Sequence, residues 1–354
     1  MAAETSSSEN SAPRWSVLLP THNRADVLAF AIRSVLAQTE GDFELLVVGD
    51  GCEDNTAEVV ENFADARLRW FDFPQAPGFG YANRNIALRQ AKGELIAFMA
   101  HDDLWLPDHL QLMGAFFRNP ETEIAYSRPL WVAPDGQILP AAFHLSDPVT
   151  RRAFLAREEN MIPAGCFVHR RDCFQKYGYW DESLPRSGDW DMWIRIIQGG
   201  ADGNADKGKE DGRRSTPAYL PDATCLHFRA IWKTEATSGF PQSKIWQEME
   251  AAAPFIPPAL RPDIPAHQTE QEAIWNLISQ NPTEWTRELR RAIVQVLDAR
   301  LWRTDQRLFQ ILSSNEWKWA SRLRKVRTFL APPDSRRQRA LTKLRRVIHT
   351  RPKP

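Results

Sequence analysis

Residues 94–103 read Glu-Leu-Ile-Ala-Phe-Met-Ala-His-Asp-Asp, a short apolar run that ends in two adjacent carboxylates, Asp102 and Asp103. An apolar run of this length between turn residues is typical of a buried strand. In an open α/β sheet, ligands bind at the carboxyl ends of the strands. Two aspartates at that position can hold a divalent cation and, through it, a phosphate. The alternative is a helix N-cap before residues 104–107, because Asp is a favoured capping residue.

Strand and helix patterns alternate along the part of the chain that leads to this junction. Apolar runs predict strands, and helical spacing of apolar residues predicts the helices between them. The predicted strands cover 14–20, 43–48, 68–73 and 94–100, and the predicted helices cover 25–38, 55–63 and 81–91. This alternation predicts an α/β fold with a mostly parallel sheet flanked by helices.

The composition divides the 354 residues into four predicted segments. Residues 1–13 lack the basic start and apolar stretch of a signal peptide and are expected to be disordered. Residues 14–238 form the predicted α/β domain, interrupted at 199–217 by a flexible insertion rich in Gly, Asp and Lys. We expect a helical extension over 239–316 and a basic amphipathic helical tail over 317–354. Within the last two segments, the predicted helices cover 269–278, 283–312, 315–330 and 335–348.

The net charge of zero conceals a separation of charge. Residues 317–354 hold 13 Lys and Arg against one acid, whereas residues 1–316 hold 32 basic and 44 acidic residues. A basic segment of this kind points to a partner of its own. Its amphipathic pattern fits an anionic membrane surface. The alternative is docking on the acidic remainder of the chain. Without a recognition module, no nucleic acid partner is expected.

The cysteines and the lengths of the apolar stretches indicate the cellular compartment of the protein. The cysteines are Cys52, Cys166, Cys173 and Cys225, and none forms a C-x-x-C pair, which argues against zinc or redox use. No stretch approaches about 18 consecutive apolar residues, so no transmembrane helix is expected. We therefore expect a cytoplasmic protein, placed peripherally at the inner face of the cell membrane if the basic tail binds lipid.

Four segments, in order, resemble the family-2 glycosyltransferases of the GT-A fold. They are Val17-Leu-Leu-Pro-Thr-His-Asn-Arg24, the strand and turn at 43–56, the blocks between 83 and 103, and the segment 174–195 with Gly188-Asp-Trp-Asp-Met-Trp193. The resemblance implies an inverting, metal-dependent enzyme with a Rossmann-like GT-A domain. It would transfer a sugar from a nucleoside-diphosphate sugar, with a UDP-sugar favoured. The acceptor would be a hydroxyl of a glycan or lipid-linked glycan, as in cell-surface polysaccharide synthesis.

The resemblance also implies a metal site for Mn²⁺ or Mg²⁺. Asp103 holds the last position of the Asp-x-Asp-type motif and is the implied metal ligand, while Asp102 is implied to lie near the ribose or the sugar. His227 is in the region where the family often supplies a further metal or phosphate contact, although a lone histidine is more often structural. His101 stands where the family commonly has Asp, so one carboxylate is missing.

Further residues are implied to bind the nucleotide-sugar. Pro20, Thr21 and Asn23 form the first loop, which contacts the nucleotide in the family. Arg24 either pairs with a phosphate or is a solvated residue at a helix start. Asp50 is implied to accept a hydrogen bond from the base ring. The alternative for Asp50 is a turn residue, since Asp and Gly are favoured in turns for backbone reasons.

An inverting transfer needs a general base that takes the proton of the acceptor hydroxyl. The family places this base in a Glu-Asp motif, and here the pair reads Gly188-Asp189, so Asp189 is the implied base. Asp191 competes, but within a helix its side chain points about 200° away from that of Asp189. Asp191 is better placed to pair with Arg195 at i+4. The alternative for Asp189 is the N-cap of that helix.

Two other functions fit parts of the sequence. A sugar nucleotidyltransferase can share the sheet, but it needs a glycine-rich phosphate loop after the first strand, and the loop at 20–24 has no glycine. A catalytically decayed GT-A scaffold or binding protein acting through its basic tail is the second alternative. It is favoured by the replacement of family carboxylates at Gly49, His101 and Gly188.

Overall fold

The computed structural model describes residues 12–133, 136–141, 144–199, 216–228 and 257–313. Most of the predicted N-terminal segment, nearly all of the predicted insertion, both helices predicted after residue 313 and the basic tail lie outside these ranges. The chain divides into two units between residues 296 and 297. Apart from the end of the last helix, the features described below lie in the first unit.

Within the described ranges, nine strands form one sheet, and helices flank it or follow it. The strands are β1 (Trp15–Thr21), β2 (Phe43–Asp50), β3 (Leu68–Phe73), β4 (Leu95–Phe98), β5 (Leu104–Trp105), β6 (Ile124–Val132), β7 (Ile138–Pro140), β8 (Phe167–Arg170) and β9 (Ala218–Phe228). The α-helices are α1 (Leu28–Leu36), α2 (Thr56–Glu61), α3 (Tyr81–Leu88), α4 (His109–Gly114), α5 (Pro148–Leu155), α6 (Cys173–Tyr177), α7 (Gly188–Gln198), α8 (Glu270–Gln280) and α9 (Pro282–Ser313). Short 3₁₀ helices cover Phe116–Arg118, Ala164–Cys166 and Pro258–Leu260. Among these helices, none is both long and apolar enough to cross a bilayer.

The sheet confirms the predicted α/β class, although its second half is antiparallel in part. The strand order is β3-β2-β1-β4-β8-β6-β9-β5, with β7 paired to β6. The first four strands are parallel, as predicted. By contrast, β8 runs antiparallel to both β4 and β6, and β5 runs antiparallel to β9. Antiparallel strands need no helical crossover. The sequence between residues 108 and 180 therefore lacks the alternation of patterns that signals a parallel sheet.

The central strands are apolar and buried on both faces, as expected for parallel strands covered by helices. Every residue of β1 from Trp15 to Leu19 is at most 1% exposed. One buried charge interrupts this core. Glu44 of β2 accepts hydrogen bonds from the Ser16 hydroxyl at 2.7 Å and from the Lys92 N–H at 2.6 Å, and it pairs with Arg69 at 3.3 Å. These partners replace the water that the carboxylate loses on burial.

The parallel register brings three chain segments to one edge of the sheet. Thr21 at the end of β1 lies opposite Gly49 of β2, and Leu18 of β1 lies opposite Phe98 at the end of β4. The segments that follow these strands, including residues 22–24 and 101–103, therefore lie along the same edge. This edge is where ligands bind in open α/β sheets.

Gly93 provides a test of how closely β1 packs against the residues that precede β4. A Cβ added to Gly93 would lie 2.4 Å from the Ser16 nitrogen and from the Trp15 carbonyl carbon. The backbone of β1 would have to move, so we expect Gly93→Ala to lower the free energy of unfolding by about 1–3 kcal/mol. Gly41→Ala is the control, because a Cβ there meets nothing within 4 Å. Urea denaturation measures both, and equal stability of the two variants would contradict this packing.

Candidate active site

The pairing of β5 with β9 brings Asp103 and His227 together. Leu104 directly follows Asp103 and lies opposite Leu226, the neighbour of His227. His227 Nδ1 is 2.9 Å from Asp103 Oδ1 and 3.0 Å from Oδ2, and the Phe228 N–H donates to Oδ1 at 3.1 Å. Asp103 is fully buried, so these contacts compensate for its lost hydration. The two residues that the sequence analysis assigned to a metal are direct neighbours.

The chemistry of this pair fits a divalent cation. Carboxylate oxygens suit Mg²⁺ and Mn²⁺, and imidazole nitrogen is a common ligand of transition metals. A cation bound by this pair would take a lone pair from the Asp103 carboxylate and one from the His227 Nδ1, so that ring nitrogen would bind it without a hydrogen. In the part of the chain that the structure describes, no three His, Cys, Asp or Glu side chains form a cluster that could hold a metal. The pair therefore fits an ion whose remaining ligands are phosphate oxygens and water.

His101 and Asp102 directly precede Asp103 in the chain, and their pKa values are shifted in opposite directions. Asp102 is 9% exposed and pairs with Arg24 at 3.5 Å. Burial, and then the charge of Asp103, raise the pKa of Asp102 to about 6. Burial, and then the charges of Arg24 and Arg84, lower the pKa of His101 to about 3. His101 is therefore neutral at physiological pH, and it does not replace the missing carboxylate.

One carboxylate oxygen of Asp50 is hydrogen-bonded to neighbouring residues, and the other is left as a possible acceptor for a ligand. Its Oδ1 accepts hydrogen bonds from the Ala76 N–H at 2.8 Å and from the Asn83 side chain at 2.6 Å. No described residue donates a hydrogen bond to its Oδ2. A Cβ at Gly80 would lie 2.4 Å from that Oδ2, and Gly80 also has φ of +69°. Glycine is required there because the backbone approaches the carboxylate so closely.

The first loop is tied to its neighbours more than the sequence suggested. Pro20 and Thr21 belong to β1, and Thr21 is 2% exposed. The Asn23 side chain accepts a hydrogen bond from the Glu53 N–H at 2.7 Å, which joins this loop to the one after β2. Arg24, besides its contact with Asp102, pairs with an exposed aspartate two residues later. Thr21 and Asn23 therefore shape this edge of the sheet.

Asp189 lies in the first turn of α7. Its side chain accepts a hydrogen bond from the Trp190 N–H at 2.8 Å. Ser187, and not Asp189, holds the N-cap position, so the capping alternative for Asp189 does not apply to this helix. Burial raises the pKa of Asp189, opposed by the Trp190 N–H and by the charge of Arg84. A partly buried carboxylate with a raised pKa is suited to accept a proton.

Asp191 has the structural role predicted for it. The Arg195 guanidinium donates to Asp191 Oδ2 at 2.8 Å, one helical turn away. Arg157 pairs with the other carboxylate oxygen. With both oxygens engaged by arginines, Asp191 holds α7 against the segment after α5.

Arg84 is a candidate that the sequence analysis did not single out. Its guanidinium lies over the rings of Tyr81 and Trp180, 5.1 and 5.3 Å from their centroids. It forms no ion pair with any described residue, yet the charges of Asp50 and Asp189 both act on it. Burial lowers the pKa of Arg84, and these two carboxylates oppose that effect. The only signal in the sequence is Asn83-Arg84-Asn85, where an arginine on a helix resembles an ordinary solvated residue.

Two glycines stand where the family has acids, and in each case an aromatic ring fills the space. A Cβ at Gly49 would lie 2.4 Å from the Trp70 ring. A Cβ at Gly188 would lie 2.9 Å from Cζ of Tyr81. The acidic side chains are therefore replaced by packed rings rather than by open space.

Comparisons with known proteins find a match to one protein family and to several relatives over part of their length. Residues 16–178 match the family described as Glycosyl transferase family 2. An uncharacterized glycosyltransferase of Rickettsia felis is 28% identical over 200 residues, which cover 52% of this chain and 32% of the relative. The Escherichia coli UDP-Glc:alpha-D-GlcNAc-diphosphoundecaprenol beta-1,3-glucosyltransferase WfgD is 38% identical over 97 residues, covering 27% of this chain and 38% of WfgD. The chain thus spans about a third of the length of these two curated relatives. S. aureus TarS 1-349 in complex with UDP-GlcNAc superposes with a TM-score of 0.48 and 19% identity, over 69% of this chain and 66% of TarS.

The raised pKa of Asp102 gives a pH-dependent prediction for the metal-free protein. The folded-state pKa of about 6 exceeds the ordinary value of 3.8. At pH values between these two, the folded protein therefore binds more protons than the unfolded chain does. The free energy of unfolding therefore falls as the pH rises through this window. We expect Asp102→Asn, which cannot ionise, to be more stable than wild type by about 1–3 kcal/mol at pH 7.5, with a smaller difference near pH 4.

Urea denaturation in EDTA at both pH values measures this effect. Asp181→Asn is the control with the opposite sign, because a hydrogen bond from Ser183 lowers the pKa of Asp181. A stability difference for Asp102→Asn that is the same at both pH values would contradict the assigned pKa.

Proposed function

Since residues 16–178 belong to glycosyl transferase family 2, we propose that the protein transfers a sugar from a nucleoside-diphosphate sugar to a hydroxyl of a glycan acceptor. The observation that carries this proposal is the buried contact of 2.9 Å between Asp103 and His227 at the same sheet edge as Asp50. The loop after β1 lacks the glycines of a nucleotidyltransferase phosphate loop, which favours transfer of the sugar.

The donor is proposed to be a UDP-sugar. The described residues that donate to Asp50 bind its Oδ1, so Oδ2 is proposed to accept a hydrogen bond from the ring N–H that uracil carries. Arg84 interacts electrostatically with both Asp50 and Asp189. It is proposed to supply positive charge for an anionic ligand. The relative WfgD is named for a UDP-Glc donor, which supports the same base. Pro20, Thr21, Asn23 and Arg24 are proposed to complete the nucleotide-sugar site.

We propose that Asp103 and His227 hold Mn²⁺ or Mg²⁺. A divalent cation supplies a Lewis acid that neutralises the diphosphate leaving group. The fit of a carboxylate and an imidazole in direct contact supports this assignment. Asp102, held by Arg24, is proposed to lie beside the ribose or the sugar.

Asp189 is proposed as the general base of an inverting transfer. It takes the proton of the acceptor hydroxyl while that oxygen attacks the anomeric carbon from the face opposite the diphosphate. The raised pKa of Asp189 supports this role, because it makes the carboxylate a stronger base. The competing carboxylate, Asp191, is engaged by Arg157 and Arg195.

The acceptor is proposed to be a glycan or lipid-linked glycan used in cell-surface polysaccharide synthesis. The name of WfgD specifies a diphosphoundecaprenol acceptor, which supports this class. In this proposal residues 14–238 are the catalytic domain and 239–316 a helical extension. The basic tail at 317–354 places the enzyme at an anionic membrane surface on the cytoplasmic side, with docking on the acidic part of the chain as the alternative.

Transfer assays test the proposed reaction most simply. The wild type is incubated with a panel of nucleotide-sugars, Mn²⁺ and glycan acceptors, and released nucleoside diphosphate is measured. We expect Asp189→Asn to lower kcat by about 10²–10⁴-fold, the usual contribution of a general base. The exposed Asp181→Asn is the control and should keep wild-type activity. Equal activity of Asp189→Asn and wild type would exclude Asp189 as the base, and no turnover of any donor by the wild type would favour a decayed scaffold.

The pH dependence of kcat/KM provides a separate prediction. The base acts only when ionised, so activity falls as the pH drops through the pKa of Asp189. Because burial raises that pKa, we expect the acid limb of the profile to lie above the range of an exposed aspartate, about 3.9. Initial rates across a pH series measure it. An acid limb at the ordinary aspartate value would contradict the raised pKa of Asp189.

A further inference from the structure

The start of α7 packs directly on the ring of Tyr81. The Tyr81 hydroxyl accepts a hydrogen bond from the Gly188 N–H at 2.9 Å. A Cβ at Gly188 would lie 2.9–3.1 Å from Cζ, Cε1 and Cε2 of Tyr81. Tyr81 itself is 3% exposed, so its ring is held in place from the other side. Only a glycine at 188 allows the ring and the backbone to approach this closely.

The hydrogen bond from Gly188 substitutes for a conventional helix cap. The first N–H groups of a helix lack partners within the helix. Ser187, at the N-cap position, makes no capping hydrogen bond with its side chain, and its φ of +61° is unusual for a residue other than glycine. The N–H of Gly188 finds its acceptor in Tyr81 instead. The next residue along the helix is Asp189.

Tyr81 is itself fixed by its neighbours at the opposite end of the site. It is the first residue of α3 and follows Gly80, whose backbone abuts the Asp50 carboxylate. Its ring meets Trp180 edge-on, with the centroids 5.6 Å apart. The Arg84 guanidinium covers it at 5.1 Å. A rigid group therefore links the segment beside Asp50 to the first turn of α7.

We propose that Tyr81 is a positioning residue for Asp189, which it places by capping α7 through the Gly188 N–H. The assignment rests on the proposed transferase reaction, in which Asp189 is the base. Tyr81 acts through the backbone of α7, by its bond to the Gly188 N–H, and is not itself the base. Its hydroxyl fixes the direction in which the first turn of α7 leaves Ser187, and hence where the Asp189 carboxylate lies.

The test compares two tyrosines that make the same kind of bond. Tyr81→Phe removes the hydroxyl and keeps the ring. Tyr126→Phe is the matched control, because the hydroxyl of this buried tyrosine also accepts a backbone N–H at 2.7 Å, but from Leu145, which is not a residue of α7. We expect kcat of Tyr81→Phe to fall by about 10-fold or more, since a misplacement of about 1 Å can cost about 100-fold. KM for the donor should stay within about twofold, because uniform binding is not affected.

The control separates positioning from general stability. Both variants should lose similar amounts of thermal stability, but Tyr126→Phe should keep the kcat of the wild type. If Tyr81→Phe retains kcat within about twofold of wild type, or raises KM with kcat unchanged, the inference is wrong.

A second variant displaces the ring without removing the hydroxyl. Gly188→Ala adds a methyl group where Cζ of Tyr81 lies within 2.9 Å. We expect it to lower kcat in the wild-type background and to have little further effect in a Tyr81→Ala background, where the methyl group has space. Additive effects in the double variant would contradict the pairing of these two residues.

Amide hydrogen exchange distinguishes failure of this inference from failure of the proposed function. The segment containing Gly188 should exchange faster in Tyr81→Phe than in wild type or Tyr126→Phe. If the wild type turns over no donor, the proposed function fails, and the exchange result alone then decides whether Tyr81 caps α7. Unchanged exchange in Tyr81→Phe would overturn the capping role.

Discussion

Burial of the Asp103 carboxylate is the constraint on which the rest of the site depends. A fully buried carboxylate needs partners, and Asp103 has them only because β9 lies beside β5, with Leu226 opposite Leu104. That register places the His227 ring and the Phe228 N–H on its two oxygens. Burial of Asp102 itself, together with the charge of Asp103, raises the pKa of Asp102. The second half of the sheet, which is antiparallel in part, thus builds an acidic site at the edge that the parallel half provides.

The two glycines that depart from the family pattern follow a common physical rule. Each allows a neighbouring aromatic ring to pack against the backbone, Trp70 at Gly49 and Tyr81 at Gly188. Loss of an acidic side chain at these positions therefore leaves no cavity. Neither glycine can be replaced by a larger residue unless the neighbouring ring moves. At Gly188 the ring also brings a hydroxyl, which satisfies a helix N–H that would otherwise lack a partner. These pairs explain the departures without invoking decay of the site.

The parallel half of the fold was predictable, because buried apolar runs and intervening helical patterns identify β1 to β4 from the sequence. The side chains at their carboxyl ends, Asp50 and Asp102-Asp103, followed from that prediction. The later antiparallel strands were not predicted, since their pairing depends on contacts between distant residues and leaves no local period. For the same reason the sequence identified His227 only through a family resemblance. Arg84 was missed because its electrostatic link to Asp50 and Asp189 exists only in the folded chain.

The affinity for Mn²⁺ in the presence of UDP tests the central claim that Asp103 and His227 form a metal site. Electron paramagnetic resonance counts free Mn²⁺ directly during titration of the wild type, Asp103→Asn and the exposed control Asp181→Asn. We predict that Asp103→Asn binds Mn²⁺ at least about 10-fold more weakly than wild type, while Asp181→Asn binds it equally well. Equal affinity in all three proteins would contradict the assignment of Asp103 as a metal ligand.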